Sequence, residues 1–435
     1  MPSGAGVPQQ QSVGLFGRAR GVFYGWWLLG VAAFLLTMMS LTVFQGLGTF
    51  LVALQNQFGW SRTALSGAFS LARAEGAILG PIEGFLVDRV GTRRMVLIGY
   101  TILGVGFLLF SFVQELWQFY GVFLVITLGS GLGGWLATIS MVNNWFSRRR
   151  AFAMAVAMSG IHMGGLLVPL VAFGIQSHGF RVTTFGIGVF ILVVVVPLSR
   201  LIRNRPEEYG LRPDGDSAAP GSGQGPTTAD AAVTASEPAF TVRQALRTQA
   251  FWVLTVAQLS SSVSIVTLAL HLVPKLTDMG MSLGAASTVV LTYTAIALPS
   301  QFVAGRLAER LPKPVVVSGC MMFQAVALLV IALAQNLYMA FAFAVLYGIG
   351  FGGRTPVMTA LRGEYFGRGA FATIMGLSQF PNNIAMIGAP LFAGYMFDTT
   401  QSYFVPFTAF AALSLAGALL MLLVRRPTSA RAGAA

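Results

Sequence analysis

Long apolar stretches separated by short polar turns run through the whole chain. Twelve of them lie roughly at 24–53, 63–87, 94–113, 117–142, 151–176, 181–201, 250–274, 283–306, 314–334, 337–360, 370–396 and 402–424. Each approaches or exceeds the roughly 20 residues with which an α-helix crosses a bilayer core. The pattern breaks once, at 202–249. The centre of that segment, Pro213 to Pro238, is Gly, Pro, Ala, Ser and Thr with scattered acids. Such a composition buries no core and predicts a disordered linker. It divides the chain into six spans and six.

Composition agrees with the pattern. Of 435 residues 55% are hydrophobic and 9% charged, against the roughly 25% charged residues of soluble proteins. The formal net charge of +13 would suit a nucleic-acid partner, but its distribution argues against one. Of 27 Lys and Arg, 22 fall in segments on one side of the expected spans: 18–20, 89–94, 148–150, 200–247, 306–313, 362–368 and 425–431. Three (Arg62, Arg181 and Lys275) fall on the other side, and two (Arg73 and Arg354) lie inside spans. This is the positive-inside asymmetry, which places both termini in the cytoplasm against anionic lipid. Residues 1–20 are polar and the first apolar run is span-length, so no cleavable signal peptide is expected. The single cysteine, Cys320, allows no intramolecular disulfide. Three His and one Cys supply no metal cluster, and no Walker A, G-x-S-x-G or H-E-x-x-H string is present.

The most informative stretch is Ser61 to Arg94. Ser61 is placed to cap a helix that carries Arg73, Glu75 and Glu83 through an apolar run. By helical rise, Arg73 lies about 16 Å from Arg62 and about 22 Å from Asp88, near mid-depth. A charge there costs at least about 2.5 kcal/mol and must face a cavity or a partner. Gly76, Gly80 and Gly84 recur every four residues and admit a neighbouring helix closely. Pro381 in Phe380-Pro381-Asn382-Asn383 is expected to break the eleventh span and free backbone groups.

The end of this stretch, Gly84-Phe85-Leu86-Val87-Asp88-Arg89-Val90-Gly91-Thr92-Arg93-Arg94, resembles the loop signature of the major facilitator superfamily, G-x-L-x-D-R-x-G-R-[RK]-[RK]. Gly84, Asp88, Arg89, Gly91, Arg93 and Arg94 are the matching positions. The resemblance implies that the aspartate pairs with basic groups and latches the cytoplasmic side in one state of a transport cycle. The halves repeat weakly at an offset of about 220 residues, as that superfamily's two parallel-related halves do. Gly84–Arg89 corresponds to Gly305–Arg310, and Trp145-Phe146 to Tyr365-Phe366. Two further strings narrow the likeness. Tyr24-Gly25-Trp26-Trp27 resembles the opening of monocarboxylate-porter relatives. Trp145 to Gly160, WFSRRRAFAMAVAMSG, is similar to their fifth-helix signature, with Phe152 for Leu and Ala155 for Gly. The branch implies carriage of monocarboxylates, oxalate or formate, and other small organic anions. The paired Asp and Arg of the animal members' eighth helix have no counterpart in 283–306.

Several residues could carry this chemistry. Arg73 offers a planar fork matched to a carboxylate, with Ser66 and Ser70 on its helix face; it could equally serve a structural pair. Glu75 lies about 200° round the helix from Arg73. Arg354 is about 15 Å up from the cytoplasmic edge, and its counterpart in the repeat is Trp135. Arg354 either meets substrate or is structural, capping the Gly352-Gly353 carbonyls or gating the inner side. Asn382 and Asn383 could meet substrate with their amides. Glu75 and His162, both near mid-depth, are the candidates for proton coupling, His162 alternatively being a neutral hydrogen-bonded side chain. Gly348 to Gly353 matches G-x-G-x-x-G, but no strand precedes it and helix packing is the reading.

The expected fold is an all-α membrane protein of twelve transmembrane helices in two parallel-related six-helix halves. It comprises a cytoplasmic N-tail 1–23, a first half 24–201, a linker 202–249, a second half 250–424 and a C-tail 425–435. The expected function is secondary active transport of small organic anions, monocarboxylates first, by proton coupling or exchange. The site comprises Arg73, Ser70, Ser66, Trp135, Arg354, Asn382 and Asn383 for substrate and Glu75 and His162 for protons. Asp88 and its loop form the gate. The expected protein is a plasma-membrane monomer without cofactor, metal or nucleic-acid partner. An exporter of amphiphilic compounds is the alternative within the class; a membrane-embedded enzyme or receptor-like protein is the alternative outside it. The 22-to-3 asymmetry predicts that a cysteine placed at Ser217 stays unlabelled when an impermeant thiol reagent is added to intact cells; labelling from outside would refute the topology.

Overall fold

The computed structural model describes residues 23–44, 46–60, 62–215, 240–281 and 283–427. Among them the chain is helical and no strand occurs. The first expected span is two helices, α1 (Tyr24–Met39), which continues through a π turn to Phe44, and α2 (Leu47–Phe58), which Gly59 ends at φ 69°. α3 (Arg62–Val90) ends at Gly91, whose φ of 94° only glycine adopts cheaply, and α4 (Thr92–Phe110) follows at once. α5 (Leu116–Ser130) runs through a π turn at Gly131–Trp135 into α6 (Leu136–Trp145). α7 (Arg150–Phe190) is broken at Gly179 (φ 82°, ψ 164°), so it holds the fifth expected span and the start of the sixth. That sixth span continues through a π turn into the short α8 (Val196–Leu198).

After α9 (Val242–Leu246) come α10 (Gln249–Asp278), α11 (Leu283–Leu307), α12 (Lys313–Ala332), α13 (Leu337–Phe366), α14 (Phe371–Thr400) and α15 (Phe404–Leu422). Nine helical stretches among the described residues are long and apolar enough to cross a membrane. One of them, 150–201, contains the Gly179 break and counts twice. The more polar α3 and α14, of 29 and 30 residues, are also long enough to cross, which is consistent with the expected twelve.

Three expectations need correction. α14 is continuous through Pro381 and Pro390, so the expected break at 380–383 is absent. Neighbouring helices can re-satisfy the freed groups, which is how membrane helices tolerate proline. The linker is ordered further than composition suggests. Residues Pro206–Tyr209 and Pro213–Gly215 form 3₁₀ turns; 216–239, with Ser217, lie outside the described residues, as do Ser61 and the terminal tails. Arg362, counted among loop charges, is buried within α13, and Arg150 is buried at the start of α7.

Backbone-to-backbone contacts bring the two halves together. A Cβ on Gly84 would collide with Ala372 O of α14, and one on Gly376 with Gly80 O of α3. The glycine repeat of α3 therefore serves α14. On the other flank Gly305 of α11 meets Ala151 and Phe152 of α7. Within the second half, Gly348 and Gly352 rest on Tyr293 and Ala297 of α11, while Gly350 and Gly353 rest on Cys320 of α12. The G-x-G-x-x-G run is thus a two-sided packing face.

The ordered start of the linker is strapped to the same end of the bundle. Arg203 lies between the rings of Tyr24 and Tyr209, at 4.2 and 4.1 Å. Asn204 Oδ1 accepts from Arg93 N at 2.9 Å, and Trp145 Nε1 donates to Arg203 O at 2.9 Å. Arg368 joins the second half to the strap through Glu207, at 2.7 Å. Asp214 then accepts from the backbone of Ser147, Arg148 and Arg149 at 3.0, 2.7 and 3.2 Å, holding the turn that leads into α7. A carboxylate in front of a helix N-terminus satisfies backbone donors and meets the favourable end of the dipole. Asp214 stands at φ 61°, which Asp and Asn tolerate better than Ala. Asp214→Ala is expected to destabilise the protein by about 1 kcal/mol and Asp214→Asn by less, read as shifts in melting temperature.

Candidate functional site

The gate is the best-defined part of the site. Ala372 N donates to Asp88 Oδ1 at 3.1 Å; Thr373 N and Thr373 Oγ1 both donate to Oδ2 at 2.7 Å. Asp88 closes α3 onto the first turn of α14. The resemblance implied basic partners. Here the partner is a helix N-terminus and a hydroxyl, and Arg205 contributes as a nearby positive charge. Asp88 lies just past the 63–87 span. Burial pushes its carboxyl above the ordinary aspartate range, while the Thr373 and Ala372 donors and Arg205 pull it back. Of the other loop residues, Gly84 supplies the close approach and Gly91 the turn. Arg93 binds Asn204 through its backbone, and Arg89 lies 5.8 Å from the Phe85 ring. Arg94 is exposed. A cavity of about 690 Å³ opens beside the gate, lined by Phe85, Asp88, Arg89, Phe240, Gln244 and Thr373 among others.

Deeper in the bundle, α3 carries Arg73 with its guanidinium 5.7 Å from the Phe44 ring. Glu75 turns the other way, as its angular offset required, and its Oε2 accepts a short hydrogen bond from Thr127 Oγ1 of α5. The side chains of Ser66 and Ser70 lie outside the described residues. Trp135 closes the π turn of the fourth span, and its Nε1 is buried without a partner. A π turn adds a residue to the helix and re-aims the side chains beside it, a distortion frequent at functional sites. His162 of α7 meets Phe351 of α13 edge-to-face at 5.9 Å, across the two halves.

Arg354, at 1% exposure, donates from Nη1 to Gln258 Oε1 at 3.3 Å, and its Nε has no partner. Among the described residues no carboxylate pairs with it. Asn382 donates to Gln379 Oε1 at 3.1 Å and leaves its own Oδ1 buried and unpaired. Asn383 Nδ2 stands 3.9 Å from where a Gly76 Cβ would be, so it faces α3. The structure thus brings Asn383 to α3 and His162 to α13, while Arg73 and Arg354 belong to opposite halves with separate surroundings.

Sequence reading missed a polar cluster behind Arg354. Ser261 of α10 donates a short hydrogen bond to Gln324 of α12, Ser264 meets Tyr347 of α13 at 3.4 Å, and Arg362 donates to Leu254 O at 3.0 Å. The string Gln258 to Ser264 inside an apolar span was the available signal, since polar groups there are costly.

Two helical halves joined through the Asp88 carboxylate, with a buried guanidinium at depth that no carboxylate pairs among the described residues, have the plan of a membrane transporter. The Major Facilitator Superfamily model matches residues 33–284 and 258–435, and the chain belongs to that family. It is 26% identical over 410 residues to monocarboxylate transporter 12-B of Danio rerio, spanning 90% of this chain and 85% of that one. It is 27% identical over 401 residues to monocarboxylate transporter 13 of Rattus norvegicus, spanning 90% and 87%. Among solved structures it superposes on FucP in the outward conformation with a TM-score of 0.71 at 13% identity, covering 94% of this chain and all of that one. It also matches the human organic anion transporter MFSD10 with a TM-score of 0.66 at 16% identity, covering 91% and 97%. The chain is a transporter and not an enzyme.

Asp88 touches the gate and no deep residue. Asp88→Asn is expected to weaken closure by about 1 kcal/mol, changing the transport rate several-fold with little change in substrate affinity. Tracer binding and uptake measured on one preparation check this; lost binding with an unchanged exchange rate would contradict it.

Proposed function

We propose that the protein carries small organic anions, monocarboxylates first, across the plasma membrane by alternating access, driven by proton coupling or exchange. The single observation behind this reading is Arg354: a guanidinium sealed inside the second half, with Nε unpaired and no carboxylate beside it. A buried cation of this kind is stabilised by an anion, and a planar fork suits a carboxylate bidentately. Arg73 is the corresponding cation of the first half, with Trp135, Asn382 and Asn383 completing the walls. The names of the relatives at 26% and 27% identity agree with this substrate class.

The gate end is the cytoplasmic end in this reading, because the Arg-rich segments gather there. In the state described, that end is closed by Asp88 and the glycine contacts. Proton coupling in this reading falls to an ionisable group at depth, for which the sequence names Glu75 and His162 as candidates. The protein acts as a monomer whose halves rock about the site.

Lysine keeps charge but loses the fork. Arg354→Lys and Arg73→Lys are each expected to weaken carboxylate binding by about 1.4 kcal/mol, tenfold in dissociation constant. Arg354→Gln should insert normally and lose uptake of labelled carboxylates into proteoliposomes. Near-normal carboxylate affinity in Arg354→Gln would rule this site out.

A further inference from the structure

We propose that Glu83 of α3 is the proton carrier of the transport cycle, an inference that rests on the proton-coupled form of the function proposed above. The other buried ionisable groups have visible employment. Asp88 holds the gate, Glu75 accepts from Thr127, His162 packs on Phe351, and Arg362 donates to Leu254 O. Glu83 has none of these. It is 7% exposed, and among the described residues no hydrogen bond or ion pair reaches it. Its carboxyl lies flat on Gly131, filling the volume where any larger side chain would stand.

Gly131 opens the π turn of the fourth span. Trp135 and Thr138 follow it by four and seven residues in the same span. Trp135 Nε1 and Thr138 Oγ1 are both buried and both without a partner. A lone acidic side chain therefore rests on a span that carries two idle polar groups further along. A buried carboxylate without a donor or cation is costly, whereas the neutral acid is not. The span beyond Gly131 supplies the donors that a charged form would need after a change of rotamer or a shift of the π turn.

Its surroundings support a switchable charge. Of the groups on α3, Glu75 is the one whose charge acts on Glu83; Arg73 is ten residues earlier and Asp88 is bound to α14. The fourth span from Gly131 to Trp145 carries no ionisable side chain. On α4, Arg93 and Arg94 lie in the first turn, and Tyr100 donates to Leu35 O. α5 contributes Tyr120 in its first turns, and α14 carries Tyr395 and Asp398 in its last. No cation from these elements neutralises the site. Glu83 is also five residues, about 7.5 Å of helix, from Asp88. A shift of α3 that breaks the Asp88 gate moves Glu83 against Gly131 as well. Gate opening and proton release are thereby mechanically joined: the proton leaves for water when α3 withdraws and returns before α3 closes.

The test separates net accumulation from exchange. Glu83→Gln imitates the neutral acid in shape and should fold. Reconstituted wild-type protein should accumulate labelled carboxylate, lactate as the probe, against its gradient when a pH gradient is imposed. It should also exchange lactate at equal pH on both sides. Glu83→Gln should lose the accumulation entirely and keep the exchange. Gly131→Ala, which intrudes on the carboxyl, should reduce accumulation more than exchange. Accumulation by Glu83→Gln at the wild-type level, or equal loss of both activities, overturns the assignment. Wild-type exchange without any pH-driven accumulation would overturn the coupled reading itself, and the assignment with it.

Discussion

Everything at the gate end depends on one interaction, a carboxylate held at the N-terminus of a helix that belongs to the other half. Asp88 takes the backbone amides of Ala372 and Thr373 and the Thr373 hydroxyl, all within 3.1 Å. An N-cap normally comes from the residue before the helix. At α14 that residue is Ala370, with no side-chain oxygen to offer, so the first turn is open to a cap from elsewhere. The local poverty of the α14 start makes it a receptor for α3. Its strength is that of a cap and not of a buried ion pair, which suits a contact that must be broken in each cycle.

The first half repeats the device with different material. α7 stands to the first half as α14 stands to the second, and Arg149 before it makes no side-chain cap. Symmetry would assign the capping role to Glu309, the repeat partner of Asp88. Glu309 instead lies 3.6 Å from Arg306 and keeps its Oε1 buried and unpaired. Asp214, from the linker, holds the turn just before α7. The duplicated loop has therefore diverged: one copy bridges the halves, and the other has yielded its partner to a strap anchored by Arg203 and Asn204.

The sequence made the architecture legible because the bilayer imposes a blunt constraint on length and polarity. Every expected span falls on helix, and the glycine spacing of α3 marked its true neighbour face. The misses share a cause. Arg362 and Glu364 look like a loop when apolar runs are counted, yet hydrogen bonds carry α13 to Phe366. Pro381 looks like a break, yet tertiary packing sustains α14 through it. The strap at 203–215 is stabilised by partners distant in the chain, which no local composition reveals. The cations proposed for the deep site, Arg73 and Arg354, stand out in the sequence as charges inside spans. The polar backing of that site, from Gln258 to Tyr347, depends on which faces of three helices converge.

The contact between α3 and α14 is made by Gly80, Gly84 and Gly376 against main chain. At these three positions no side chain stands between the two helices. Interlocked packing is bistable and resists sliding, because each knob must climb out of its hole. A seam of bare backbone has no such teeth. At those positions the two helices can part without emptying pockets or turning rotamers, so the friction of separation there is low even though the fit is close. Here glycine at the seam sets how closely two main chains approach, and the hold on them comes from the Asp88 cap and the Arg368 contacts beside it.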